Sequence, residues 1–302
     1  MRYLLVDRVL EVQRGPEGAP VRGRGLKAVS RWDPLLRRAA SGVEVSPCIV
    51  GEAIGQLAAW LVMEWTGFTR RPVAGLTAEA VVLGPARPGD LLLLEVEVES
   101  LDETAVGYSG RALAGEAEVL QVHHAVGPLL PLEEFEDPAE ARRRWDSLRA
   151  SGAIDESMAS YGRAPAAPAR ELPEWPSLDH PAIDAVLERD PDRLVAVTAV
   201  SHAAPYLVEH FPRRPVLPAT LLLDAGVTLA AILAGGDGRE ARVGRVMDLK
   251  MREFVRPGNR VVTEASVRSR GEESTVVDLR SRIASRPVAS ARVEVLHSRQ
   301  DR

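Results

Sequence analysis

The chain contains a single cysteine, Cys48, among its 302 residues. One cysteine excludes an internal disulfide and a zinc site built from several thiolates, and it fits a reducing cytoplasm. Lysine is almost as scarce, since only Lys27 and Lys250 occur. The net charge of −5 gives no support for nucleic-acid binding. We therefore expect a cytoplasmic protein with no nucleic-acid partner.

Long hydrophobic runs are also lacking. Gly, Asp or Glu interrupts each apolar stretch well before the roughly 18 residues of a membrane span. The N-terminus, Met1–Arg8, meets a charge within seven residues, which does not fit a signal peptide. Apolar residues make up 45% of the chain, enough for a core, and the length leaves room for two domains of about 150 residues. These features predict a soluble protein with no membrane span.

The same succession, a helix followed by strand-like runs, occurs twice along the chain, which indicates an internal duplication. An apolar stretch over residues 47–66 predicts a buried helix, and strand-like runs follow it to about residue 126. A second helix is predicted over residues 219–234, again followed by strand-like runs. Matching Pro-Gly turns, at Pro88 and at Pro257, lie at similar distances behind the two helices. The repeat predicts an N-terminal unit (1–131) and a C-terminal unit (177–302).

Residues 132–176 separate the two units and have a different composition. An acidic run, Glu133–Asp137, precedes a stretch at 139–150 that predicts a short charged helix. The Pro/Ala-rich segment 164–169 is typical of a semi-extended linker. We therefore interpret 132–176 as a charged, Pro/Ala-rich linker.

Two carboxylates and one histidine are the candidate catalytic residues. His210 lies in a Pro-rich turn, and Asp224 follows in the first turns of the second helix. Glu52 occupies the first helix, with Gln56 one turn later on the same face. A carboxyl group on an apolar helix is disfavoured as an anion and can stay protonated, and imidazole suits a base near neutral pH. Taken alone, Glu52 is better explained as a hydrogen-bonded structural carboxylate, and the motif at His210 is what favours a catalytic role.

The segment from His210 to Ala225, with His-Phe-Pro followed by Pro215, Pro218 and Leu-Leu-Leu-Asp-Ala, resembles the active-site segment of a known family. That family is the bacterial 3-hydroxyacyl-[acyl carrier protein] dehydratases (FabA/FabZ-like). Residues 3–11 resemble its first strand, and residues 52–56 resemble its central helix. The resemblance covers about 130 residues in each half and leaves out the linker.

The resemblance implies an α+β fold of the double hotdog type, in which each unit wraps an antiparallel β-sheet around a central helix. The two units would form an intramolecular pseudo-dimer with the active tunnel at their interface, and two chains could still form a homodimer. His210 would be the base, Glu52 of the other unit the acid, and Gln56 its support. Asp224 would belong to a degenerate second site, for which the N-terminal unit supplies no histidine. No cofactor and no metal are implied.

The implied activity is dehydration of a 3-hydroxyacyl thioester to a 2-enoyl thioester in fatty-acid or polyketide-like synthesis. The carrier would be acyl carrier protein or coenzyme A. Several arginines are candidate contacts for an acidic carrier protein, namely Arg70, Arg71, Arg213, Arg214, Arg252 and Arg256.

Four departures from the family pattern keep other functions open. Glu209 and Arg213 replace glycines that flank the His-Phe-Pro triplet, and Ala219 follows Pro218 where glycine is usual. Thr228 stands where the first helix has its glutamine. These changes favour a second hypothesis, a catalytically degenerate protein that binds acyl thioesters. A third hypothesis is a hotdog thioesterase or isomerase.

Overall fold

The computed structural model describes residues 3–39, 42–149, 175–235 and 241–297. The Pro/Ala-rich segment 164–169 lies outside these ranges. The helices of the described part are α1 (Pro47–Trp65), α2 (Pro138–Arg149) and α3 (Ala219–Ala234). Its strands are β1 (Arg8–Arg14), β2 (Pro20–Ala28), β3 (Leu36–Ala39), β4 (Gly42–Val45), β5 (Arg70–Pro72), β6 (Leu76–Val82), β7 (Leu91–Leu101), β8 (Ala105–Ala114), β9 (Ala117–Pro131), β10 (Ala185–Asp190), β11 (Arg193–Ala199), β12 (Ala241–Met251), β13 (Arg260–Arg270), β14 (Ser274–Ile283) and β15 (Arg286–His297).

The two halves of the chain have the same strand order. The first half runs β1-β2-β7-β8-β9-β6 across its sheet, and the second runs β10-β11-β13-β14-β15-β12. The edge strands β6 and β12 pair antiparallel, with Val246 opposite Ala80, so one sheet continues through both halves. β5 adds to β9, and β3 and β4 form a separate hairpin. The repeat seen in the sequence is therefore a repeat of topology.

The turns that the sequence matched by composition also match in geometry. Gly89 and Gly258 both have positive φ, 101° and 87°. In the first turn the Asp90 amide donates to the Arg87 carbonyl at 2.9 Å, and in the second the Asn259 amide donates to the Arg256 carbonyl at 3.0 Å. Glycine is favoured at both places because other residues rarely adopt this conformation.

Helix α1 is the core of the first half. Ser46 caps it, accepting a hydrogen bond from the Cys48 amide at 3.1 Å, and Pro47 occupies its first turn, where a missing amide proton costs nothing. Most of the helix is buried, and each fully buried Leu or Ile contributes about 1.5–3 kcal/mol to stability. The helix lies so close to β8 that a Cβ at Gly110 would come within 2.5 Å of Ile54. Glycine there permits the close approach.

Helix α1 is also the one helix of the described part that is long and apolar enough to cross a membrane by length and composition. Within the fold, 67% of that stretch is buried. Core helices of this kind meet the same criterion.

The first part of the segment between the halves is packed against the fold. Helix α2 buries Ala141 and Trp145, and the Trp145 ring stacks on Trp60 of α1 with a centroid distance of 6.3 Å. Phe135 is fully buried against Phe211 and Phe254. Residues 132–149 thus pack around the histidine motif of the second half. The composition indicated only a linker for this segment.

Trp145→Ala should lower the free energy of unfolding by about 3 kcal/mol, because it removes a large buried ring from the contact with α1. Urea unfolding followed by circular dichroism measures this. Trp32→Ala is the matched control, since Trp32 is 86% exposed; it should change stability by less than about 0.5 kcal/mol. Equal effects of the two substitutions would contradict the packing described for α2.

Candidate active site

A cavity of about 360 Å³ lies between the two halves. Its walls come from α1, α3, the paired strands β6 and β12, and the loop before α3. Glu52, Gln56 and His210 all border it, whereas Asp224 is not among its lining residues. The structure therefore brings together three of the four site residues predicted from the sequence and separates the fourth from them.

Glu52 is held by its neighbours in a fixed orientation. The Gln56 amide donates to Glu52 Oε1 at 3.0 Å and to the Tyr3 carbonyl at 3.0 Å, and Gln56 Oε1 accepts from the Leu5 amide at 2.9 Å. Burial raises the pKa of Glu52 above its usual value, although hydrogen bonds with Gln56 and Thr220 and the charge of Arg71 act in the opposite direction. The carboxyl group therefore favours its protonated form and can serve as an acid.

His210 is positioned for the opposite role. Its Nδ1 lies 3.2 Å from the Val216 carbonyl, which can only accept, so Nδ1 carries the proton and Nε2 is left with a lone pair. Burial, reinforced by the charge of Arg71, lowers the pKa of His210 to about 4. The imidazole is therefore neutral near pH 7 and able to accept a proton.

Tyr3 and Thr220 connect Glu52 with His210, and neither was predicted as a site residue. Tyr3 OH and Thr220 Oγ1 are hydrogen bonded at 2.6 Å, and Thr220 also bonds to Glu52. The Tyr3 ring meets the His210 ring edge-on, with a centroid distance of 5.6 Å. Tyr3, in the first half, thereby contacts His210 directly and is connected to Glu52 through Thr220.

Arg71 is the buried cation of the site and was noted in the sequence only as a possible surface contact. Its guanidinium lies 4.0 Å from the centre of the Phe211 ring, which stacks on His210 at 4.1 Å. It forms an ion pair with Glu136, which also pairs with Arg144. The segment after β9 therefore supplies the counterion for a charge that acts on both His210 and Glu52.

The N-terminus of α3 opens toward the same cavity. Ala219 and Thr220, its first two residues, line the cavity, and their amides have no acceptor in the described part of the chain. Free amides at a helix N-terminus carry partial positive charge and can stabilise a developing oxyanion.

Two of the departures from the family pattern turn away from the cavity. The Arg213 guanidinium donates to the Glu133 carbonyl at 3.2 Å and to Asp137 at 2.7 Å, on the surface. Glu209 accepts from the Tyr3 amide at 3.1 Å. Neither residue is among those that line the cavity. The Arg213 side chain therefore does not obstruct the described site.

The other expected carrier contacts are engaged as well. Arg214 pairs with Glu134 at 2.6 Å, and Arg252 donates to Ser290 at 3.0 Å. Two of the acidic residues between the halves, Glu134 and Asp137, thus pair with Arg214 and Arg213.

Asp224 occupies a sealed cluster on the other side of the helix pair. Its carboxylate accepts from Ser46 Oγ and from His180 Nε2, the latter at 2.9 Å. His180 Nδ1 accepts from the Ala182 amide at 3.0 Å, so Nε2 is the protonated nitrogen. Burial pushes the pKa of Asp224 up, but hydrogen bonds from His180 and Ser46 and the charge of Arg37 outweigh it and hold the pKa below its usual value. Asp224 is therefore a fixed anion.

The histidine beside Asp224 was missed in the sequence because it belongs to the same half of the chain. His180 lies five residues before β10, as Tyr3 lies five residues before β1. The repeat could have indicated this equivalence. Thr228, the counterpart of Gln56, has a buried hydroxyl with no partner in the part of the chain that the structure describes. Asp224 thus has no support of the Gln56 kind.

Among the described residues no group of three or more His, Cys, Asp or Glu side chains could hold a metal ion. Cys48 is buried and borders the cavity. Burial, with the nearby charge of Asp224, raises the pKa of its thiol.

Solved structures with the same architecture are thioesterases. The putative oleoyl thioesterase of Lactobacillus plantarum has a TM-score of 0.57 at 10% identity, covering 91% of this chain and 96% of that one. An acyl-ACP thioesterase from Bacteroides thetaiotaomicron has a TM-score of 0.52 at 10% identity, covering 91% and 97%. At such low identity these similarities concern the fold alone. The fold is that of a hotdog protein.

Sequence comparison gives the family. A family profile described as ApeI-like, the ApeI dehydratase, matches residues 187–290. The 3-hydroxyacyl-[acyl-carrier-protein] dehydratase FabZ of Pelotomaculum thermopropionicum is 34% identical over 130 residues, which are 39% of this chain and 86% of that protein. FabZ of Thermotoga maritima is 30% identical over 115 residues, 37% and 82% respectively. The chain therefore belongs to the FabZ-like family of hotdog dehydratases.

Asp224→Asn should lower the free energy of unfolding at pH 7 by about 2 kcal/mol, because the amide cannot accept from both His180 and Ser46. Since the folded-state pKa of Asp224 is depressed, its stabilisation is present above the ordinary carboxyl pKa of 3.8 and is lost as the pH falls through the lower value. The difference in the free energy of unfolding between wild type and variant should therefore become smaller as the pH falls through that value. Urea unfolding at several pH values measures it. Asp146→Asn, an exposed change on α2, serves as the control.

Arg71→Met should raise the pKa of His210 from about 4, though not to 6.5, because burial remains after the charge is removed. Nuclear magnetic resonance titration of the imidazole Cε1 proton measures this without any substrate. Arg213→Met is the matched control, since that exposed arginine pairs with Asp137, and it should leave the titration unchanged. An unaltered His210 pKa in Arg71→Met would contradict the electrostatic coupling.

Proposed function

We propose that the chain is a double hotdog protein that dehydrates a 3-hydroxyacyl thioester at the site formed by His210 and Glu52. The observation that carries the proposal is that a neutral imidazole from one half and a carboxyl group with a raised pKa from the other border one cavity. This combination of base and acid is what the elimination of water from a 3-hydroxyacyl group needs.

The first step is removal of a proton from C2 of the substrate. His210 Nε2 accepts that proton, and the electron pair moves toward the thioester carbonyl, whose oxygen gains negative charge. The free amides of Ala219 and Thr220 at the start of α3 are suited to stabilise that oxygen. Their partial charges are fixed before the reaction, so little reorganisation is required.

The second step is loss of the 3-hydroxyl group. Glu52 gives its proton to the hydroxyl oxygen, which leaves as water while the C2–C3 double bond forms. Gln56 and Thr220 hold the carboxyl group in place during this transfer. His210 is then protonated and Glu52 ionised, and transfer of one proton from the imidazole to the carboxylate restores both groups.

The carrier of the acyl group is acyl carrier protein or coenzyme A, and the reaction belongs to fatty-acid or related synthesis in the cytoplasm. Family membership supports this class of substrate, since the FabZ relatives are named for acyl-carrier-protein substrates. The Asp224 cluster is the degenerate counterpart of the live site: its carboxylate is bonded to His180 and Ser46, and it does not border the cavity.

A thioesterase is the second candidate. Its basis is that thioesterases have this architecture over more than nine-tenths of the chain, so the fold is compatible with either reaction. Hydrolysis of the thioester would use the same cavity and would release a free thiol, which the elimination reaction does not produce.

Wild-type protein should convert a 3-hydroxyacyl-coenzyme A to the 2-enoyl thioester. The absorbance of the enoyl thioester measures this conversion. His210→Ala and Glu52→Gln should each lower kcat/KM by about 100-fold or more, because each removes one proton-transfer group. In the wild type the acid limb of the kcat/KM profile should lie near pH 4, where His210 protonates.

Asp224→Asn, assayed where it is folded, is the control and should keep wild-type turnover. A loss in this variant equal to that in Glu52→Gln would contradict the assignment of a single live site. Thiol release without enoyl formation would contradict the proposal and support a thioesterase. Binding of the thioester without either product would support a non-catalytic binding protein instead.

A further inference from the structure

A second, smaller cavity lies behind the far end of the active-site cavity. Its volume is about 130 Å³, and four residues border both cavities: Pro47, Val82, Leu120 and Val243. The active-site cavity extends along both strands to the start of β6 and the end of β12, whereas this chamber borders only the end of β6 and the start of β12. It therefore occupies the place in the repeat where the tunnel of the Asp224 half-site would open.

The chamber contains two buried donors with nothing to accept from them. Arg37 Nη1 and Trp175 Nε1 have no hydrogen-bond partner among the residues that the structure describes. The other nitrogens of Arg37 donate to Glu44, Nε at 3.0 Å and Nη2 at 2.9 Å, and its guanidinium lies 4.0 Å above the Trp175 ring. The Arg37 side chain is only 9% exposed. A buried donor without an acceptor is costly, so this corner is suited to an oxygen atom.

The remaining walls are mostly apolar, with Val45, Val50, Val119 and Ala86 among them. The charge of Arg37 is already balanced by Glu44, and the anionic Asp224 acts on the same guanidinium. Arg242 also lines the chamber, so the two arginines and the two carboxylates balance, and a further carboxylate would find no unbalanced positive charge. The fit is to an uncharged oxygen, a hydroxyl or a ketone, carried on an apolar chain.

We propose that this chamber binds the far end of the acyl chain, and that it favours acyl groups with a hydroxyl or ketone oxygen near that end. The proposal rests on the function proposed above, because the chain enters from the His210 cavity past the four shared residues. The degenerate half-site thus serves as a binding site for the substrate of the live one.

The test compares matched pairs of acyl-coenzyme A thioesters of increasing length, one ending in a methyl group and the other with a hydroxyl at the penultimate carbon. Saturated thioesters without the 3-hydroxyl group are titrated by calorimetry, so that binding is measured without turnover. For chains long enough to reach the chamber, wild type should bind the hydroxylated member about tenfold more tightly, equivalent to about 1.4 kcal/mol. No preference at any length would overturn the proposal.

Trp175→Phe keeps the ring under Arg37 and removes only the N–H donor, and Arg37→Lys keeps a cation beside Glu44 and removes Nη1. Each should reduce the preference for the hydroxylated chain, whereas Trp32→Phe, a change at an exposed ring, should keep it. Val243→Phe should narrow the passage and weaken binding of long chains of both kinds. A preference that survives in all three chamber variants would overturn the proposal.

Turnover of 3-hydroxybutyryl-coenzyme A separates this proposal from the proposed function. The short chain does not reach the chamber, so its turnover by the wild type reports on the His210 site alone. Absence of that turnover would count against the dehydratase activity. The calorimetric preference would still test whether the chamber binds the far end of the acyl chain.

Discussion

The antiparallel pairing of β6 with β12 is the interaction on which the site depends. It makes one sheet of two and places α1 beside α3, so that residues far apart in the sequence border one cavity. Hydrogen bonds between edge strands are satisfied within the chain, which also protects edges that would otherwise invite association. Without this contact Glu52 and His210 would not border one cavity.

The two helices carry a carboxyl group at equivalent positions, and the surroundings shift the two pKa values in opposite directions. Burial dominates at Glu52, whose partners are an amide and a hydroxyl, and the pKa rises. At Asp224 burial is outweighed by His180, Ser46 and the charge of Arg37, and the pKa falls. The pKa of a buried carboxyl group thus rises or falls according to the donors within reach. The duplicated fold contains one example of each.

Much of the fold followed from periodicity and turn residues, since both core helices, the later strands and the matched Pro-Gly turns repeat in the sequence. Glu52, Gln56 and His210 could be placed in one site through the resemblance to a family. Tyr3 and Arg71 could not, because each acts through contacts across a long stretch of sequence. His180 belongs to the separate Asp224 cluster, and only its place in the repeat, equivalent to that of Tyr3, could have indicated it. The packing of Trp145 was hidden by the charged residues around it, which dominate the composition of α2.

The covalent connection between the halves has a consequence for how such a protein changes. In a symmetric homodimer every substitution appears in both sites, so a residue that damages catalysis damages it twice. Here the residues around Asp224 belong to one chain that also carries His210, and each can be replaced without altering its counterpart. The two sites can therefore evolve independently. One site can be kept unchanged by selection while the other acquires a different use.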